Sequence, residues 1–180
     1  KQSGVSLRLI PNSDSALSTA TSHHNKLGLS DNKVEIMVIR GKSGKIIIAE
    51  SIGSQNITAY AKRDQGRPKR DAFVGMLPPK LAQIILNLAN PAIGGRVLDP
   101  FCGTGVVLQE AALLGFKVYG SDLADKMIDF SKQNLDWLSL THHVTVNAVI
   151  EQGDAMNHQW KQPIDAVACE GYLGQPFSAP

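Results

Sequence analysis

The run Val97-Leu98-Asp99-Pro100-Phe101-Cys102-Gly103-Thr104-Gly105 has the clearest chemical purpose in the chain. An apolar pair enters a tight turn with two glycines, and a helix-forming stretch follows. Glycine carries no Cβ, so the backbone of such a turn can approach a ligand closely. Open parallel sheets bind ligands at the carboxyl ends of their strands, where this turn falls. Two ligand classes compete for it. A dinucleotide would need a third glycine at position 108, which is Leu108, and its pyrophosphate would be repelled by Asp99. An acid at that point suits a cation such as the amino group of S-adenosylmethionine. The spacing favours that cofactor, with Asp99, Phe101, Gly103, Thr104 and Gly105 forming the turn.

Further acids follow in order. Val118-Tyr119-Gly120-Ser121-Asp122 ends a second strand with a carboxylate about 20 residues after the glycine turn, where it can accept both ribose hydroxyls. Leu123 stands beside it in the expected cofactor site. A cap for the next helix is a compatible second role for Asp122. Gly153-Asp154-Ala155 can receive an adenine amino group, or can be a simple turn.

The segment Asp165-Ala166-Val167-Ala168-Cys169-Glu170-Gly171-Tyr172 ends a fourth strand. An exocyclic amine is a poor nucleophile because its lone pair is delocalised. A carboxylate and a backbone carbonyl can accept its two N–H groups and orient it for attack. An aromatic ring can stack on a base drawn out of its helix. Glu170, the Gly171 carbonyl and Tyr172 suit those three roles. Cys169 offers a different chemistry, covalent attack on a pyrimidine ring, against which stands the usual fate of a free Cys as a small buried residue.

These residues need elements to hold them. Pro78-Pro79 suits a helix start, and Leu81, Ile84, Ile85 and Leu88 fall at the spacing of one buried helical stripe. A strand at 97–98, a helix over 104–115, a strand at 117–120, a helix over 124–139 and strands over 144–150 and 164–169 complete the pattern. Strands alternating with helices imply βαβ units and a parallel sheet. Upstream, a strand over 4–10, a helix over 13–28 and a hairpin over 33–39 and 45–50 read as the end of a small α+β module. Between them lies a basic connector with Lys62, Arg63, Arg67, Lys69 and Arg70, which either touches phosphates or is a solvated loop.

Charge follows the same division. Residues 1–75 hold 12 Lys/Arg against 6 Asp/Glu, and residues 76–180 hold 6 against 10. A basic front half and an acidic back half suggest a polyanion-binding segment joined to a small-molecule pocket. Hydrophobic residues make up 43%, enough for a core, and no run approaches the roughly 18 to 20 apolar residues of a membrane helix. The two cysteines are far apart, no Cys/His spacing points to a structural metal, and a reducing, cytoplasmic setting is expected. The five histidines are expected at surface or cap positions, and Trp137 and Trp160 as packing residues.

The run Arg63-Asp64, Arg67-Pro68, Arg70-Asp71, Gly75-Met76-Leu77-Pro78-Pro79-Lys80-Leu81-Ala82-Gln83, then Asn87-Leu88-Ala89 and Asp99 through Gly105, resembles the tRNA guanosine-N2 methyltransferases that carry a THUMP RNA-binding domain. The resemblance covers about residues 60–180 and reaches residues 1–59 loosely. It implies a class I, Rossmann-like methyltransferase fold acting on guanosine N2 in tRNA with S-adenosylmethionine as donor. It also implies a lid role for the region of Pro78, near the methionine end of the cofactor. The expected organisation is the end of a THUMP-like module over 1–59, a basic linker over 60–77 and a methyltransferase domain over 78–180. The partner is tRNA or another structured RNA, without metal or membrane. DNA N-methylation on the same fold, and a module that binds RNA and cofactor without turnover, are the alternatives.

Two departures stand out. Where the family reads Asp-Pro-Pro-Tyr, this chain reads Glu170-Gly171-Tyr172-Leu173, with a longer acid, no proline and the aromatic one place early. The fold has seven strands and only four fit here, and the chain begins without Met. The sequence is therefore expected to be a fragment, weak or inactive alone.

Overall fold

Asp99 and Asp122 end neighbouring strands of one parallel sheet in the computed structural model, which describes residues 8–71 and 75–171. Two compact units are present, Lys1–Ala59 and Tyr60–Pro180.

In the first unit, α1 (Thr19–Asn25) is capped by Ser18, whose hydroxyl accepts from the Thr21 amide at 3.1 Å, and it ends at Lys26 in the left-handed region. The helix is shorter than the expected 13–28 because only these seven residues are closed by such caps. Strands β1 (Ile36–Arg40) and β2 (Ile46–Glu50) pair antiparallel from Ile36 opposite Glu50 to Arg40 opposite Ile46, as the expected hairpin requires. Residues 8–10 carry no strand, and the rest of the expected first strand lies outside the described residues.

Helix α2 (Ile57–Gly66) occupies a stretch read from the sequence as connector. From Tyr60 onward the second unit follows: α3 (Pro79–Ala89), β3 (Arg96–Asp99), α4 (Val106–Leu113), β4 (Lys117–Asp122), α5 (Asp125–His142), β5 (Ala148–Gln152) and β6 (Ala166–Val167). The sheet order is β5-β4-β3-β6, all parallel. Chain order reverses between β3 and β6, and a sheet of this kind opens its ligand crevice at that point. Strand β5 begins four residues later than expected, because Val144 and Val146 pack on the helical layer rather than pairing.

Val97 and Val118 face a helical layer in which α4 lies between α3 and α5. Alternate residues point to the other face, where Tyr119 meets Trp160 edge-on at 5.4 Å and hydrogen-bonds Glu151. His158 joins this cluster at 2.7 Å from Glu151, half-buried rather than on the surface as expected. Leu86, Leu108 and Leu138 are at most 1% exposed, and burying each contributes about 1.5–3 kcal/mol.

The stripe of α3 differs from the expected one. Ala82 and Leu86 are buried and Ile85 and Ala89 pack partly, while Leu81, Ile84 and Leu88 are exposed. Both sets obey the same helical spacing. Ala82 and Leu86 take the inner face, in the core cluster shared with α4.

Candidate functional site

Strand β3 ends at Asp99, whose residue is 2% exposed. Burial pushes its carboxyl up to about 7, against the lowering effect of the Phe101 amide, which donates to it at 3.1 Å. The negative charges of Asp122 and Glu170 act in the same raising direction. The sheet thus brings Asp122 and Glu170 within electrostatic reach of Asp99. Ala168 donates its amide to the Leu98 carbonyl at 2.9 Å, and this pairing sets Glu170 just beyond the end of β6 beside the Asp99 turn.

The turn itself is held on three sides. The Cys102 amide donates to the Ser121 carbonyl at 2.8 Å and the Gly105 amide to the Cys102 carbonyl at 2.7 Å. Gly105 has φ of +81°, and a Cβ there would stand 2.8 Å from the Ser131 hydroxyl, so both conformation and space require glycine. Asp122 accepts from the Gly103 amide at 2.9 Å and from the Ala124 amide at 2.9 Å. Ala124, not Asp122, is the N-cap of α5. Phe101 and Leu123 flank these groups with rings and methyls that are 51% and 71% exposed, apolar surface available to a flat ligand.

Helix α5 supports the turn from behind. Ser131 donates to the Gly103 carbonyl at 2.8 Å, and the Asn134 amide donates to the Thr104 carbonyl at 2.8 Å. Both side chains are fully buried. Neither residue is among the expected site residues. The available signal was two polar residues within an apolar stripe of Met127, Ile128, Leu135 and Leu138, since buried polar groups need partners.

Asp154 is exposed and accepts from the Met156 amide at 3.0 Å and the Asn157 amide group at 3.2 Å, closing the turn that follows β5. Ala155 is half-buried in that turn. Pro78 is the N-cap of α3, with φ −63° and ψ 139°. Glu170 and Gly171 are exposed, and Tyr172 lies outside the described residues.

The basic connector divides. Lys62 and Arg70 are exposed and Lys69 is half-buried. Arg63 is buried and forms a two-pronged pair with Glu110 of α4, Nε to Oε1 at 2.6 Å and Nη2 to Oε2 at 3.0 Å. Gln83 donates to the same carboxylate at 2.7 Å. Arg67 is 3% exposed, pairs with Asp64 at 3.1 Å, and has its guanidinium pushed below its ordinary range by burial. Arg63 and Arg67 therefore leave the set of side chains open to phosphate. Within residues 60–71, Arg63, Arg67 and Asp71 are buried, and the fully buried Glu110 holds the Arg63 guanidinium.

Burial also raises the Cys169 thiol, with Asp99 adding to the effect, which disfavours the thiolate that covalent attack needs. Cys102 is pushed up to about 12 by burial and packs beneath the turn. Among the described residues no group of three or more His, Cys, Asp or Glu could hold a metal, and no helix is long and apolar enough to cross a membrane.

The chain spans about a third of the length of the curated relatives it matches. It is 34% identical over 113 residues to the tRNA (guanine(10)-N2)-dimethyltransferase of Methanothermobacter thermautotrophicus, covering 62% of this chain and 32% of that protein. It is 41% identical over 75 residues to the tRNA (guanine(6)-N2)-methyltransferase of Thermus thermophilus, covering 37% and 22%. A possible methylase from Clostridium difficile 630 shares the fold with a TM-score of 0.53 at 19% identity, over 80% of this chain and 45% of the other. The class I methyltransferase architecture is thus present, ending after four strands among the described residues. The UPF0020 family model, described as an RMKL-like methyltransferase domain, matches residues 67–171, from the packed connector to the reactive segment, and the chain belongs to that family.

Proposed function

We propose that this chain forms the cofactor-binding part of an S-adenosylmethionine-dependent enzyme that methylates the N2 amine of a guanosine in tRNA. The observation that carries the reading is the parallel pairing of β3 with β6, which sets Asp99 at the end of one strand and Glu170 beyond the end of its neighbour, at the switch point of the sheet. The names of the relatives support the choice of substrate.

The residues present fit the cofactor. Asp99 is a buried acid whose ionised form is stabilised by a cation, Asp122 retains lone pairs beyond the two it gives to amides, and Leu123 and Phe101 offer apolar faces. Asp154 and Ala155 stand at the adenine end, and Pro78 at the methionine end. When bound, S-adenosylmethionine supplies a methyl group on a cationic sulfur. Glu170 and the Gly171 carbonyl would accept the two N–H bonds of the target amine and orient its lone pair, and Glu170 would take the proton the amine loses as the N–C bond replaces the methyl–sulfur bond, whose electron pair stays on sulfur. Tyr172 stacks on the base. Lys62, Lys69 and Arg70 hold the RNA backbone, joined by residues 1–59 as the end of a THUMP-like module.

The test is incubation of the intact enzyme to which this chain belongs with labelled S-adenosylmethionine and unmodified tRNA, followed by nucleoside mass spectrometry. Labelled N2-methylguanosine is the expected product. Label on another nucleoside, or none, overturns the substrate or the reaction respectively.

A further inference from the structure

Residues 67–71 lie as a strap along one face of α5. Lys126 pairs with Asp71 at 2.8 Å, Phe130 receives the Lys69 ammonium 5.4 Å from its ring centre, and Asn134 grips the Lys69 backbone. Positions 126, 130 and 134 are successive turns of one helical row. The grip is two-sided: the Asn134 carbonyl accepts from the Lys69 amide at 2.9 Å, and its NH₂ group donates to the Lys69 carbonyl at 2.9 Å. The same NH₂ donates to the Thr104 carbonyl at 2.8 Å, inside the glycine turn.

This makes one planar group the junction of two segments. The two hydrogens of a carboxamide are fixed in direction, one on each carbonyl. Asn134 is fully buried, so a shift of either carbonyl away from it leaves a donor without water or protein to satisfy it. The turn and the strap therefore move together or pay a desolvation cost apart. Arg70, exposed in the middle of the strap, is carried with them.

We propose that Asn134 is a positioning residue that couples occupancy of the glycine turn to ordering of the strap 67–71, so that cofactor binding fixes the basic strap. The inference rests on the reading of the turn as the S-adenosylmethionine site. Hydrogen exchange on the full chain, with and without saturating S-adenosylmethionine, tests it. Slower exchange is expected both at residues 103–105 and at the Lys69 amide. The isosteric Asn134→Asp keeps the acceptor and removes both donors. It is expected to abolish the response at Lys69 and to raise the Kd for S-adenosylmethionine about tenfold. Protection at 103–105 with unchanged exchange over 67–71 in the wild-type chain overturns the coupling, whether or not the variant folds. No protection at 103–105 overturns the cofactor reading, and the coupling falls with it.

Discussion

Asp122 accepts the Gly103 amide at 2.9 Å, so the acid that ends β4 fixes the turn that leaves β3. Two neighbouring strands thus present their ends to a ligand as one surface. Asp122→Ala is expected to weaken S-adenosylmethionine binding about 10- to 100-fold, through a loosened turn and lost ribose contacts. Isothermal titration measures it, and an unchanged affinity would remove Asp122 from the site.

The raised carboxyl of Asp99 gives two opposite pH trends. In the unliganded chain its folded value, about 7, lies above its ordinary 3.8, so the stability it contributes is complete below the unfolded value and is lost as pH rises through about 7. A cationic ligand instead prefers the ionised form. S-adenosylmethionine affinity is expected to rise between about pH 5.5 and 7.5, with proton release on binding below about 7. Asp99→Asn is expected to flatten both trends, in thermal melts and in titrations across pH.

Breaking the Arg63–Glu110 pair tests the withdrawal of Arg63 from RNA contact. Arg63→Ala leaves a carboxylate that is 1% exposed without its cation, and is expected to destabilise the chain by about 3–5 kcal/mol in urea unfolding. Lys62→Ala and Arg70→Ala are expected to leave stability within about 0.5 kcal/mol. Each is also expected to lower the slope of log tRNA affinity against log salt by roughly one. An unchanged slope in both variants would show that the connector touches no phosphate.

Glu170 and Cys169 are adjacent and separable. Cys169→Ala is expected to retain methyl transfer, because burial raises its thiol and disfavours the attacking thiolate. Glu170→Gln is expected to reduce kcat about 10²-fold or more, with little change in cofactor affinity. Turnover assays with tRNA decide between amine orientation and covalent attack, and activity lost only in Cys169→Ala would reverse the assignment.

The sequence alone determined the parallel sheet, the order of its elements and the glycine turn. Each follows from local patterns: apolar strands ending in Gly-X-Gly, acids at strand ends, and helical periodicity. The strand ends of Asp99, Asp122 and Glu170 were legible because a parallel sheet sends every strand's carboxyl end to the same edge. What only the tertiary structure decided concerns side chains whose partners are remote in sequence. Arg63 looked like a free cation because Glu110 lies 47 residues away, and Asn134 looked like a polar position on a helix because Lys69 lies 65 away. The inner stripe of α3 was ambiguous because Leu81, Ile84 and Leu88 satisfy helical spacing as well as Ala82, Leu86 and Ala89 do. Periodicity fixes the pitch of a helix, whereas the neighbour that packs on it fixes which face turns inward.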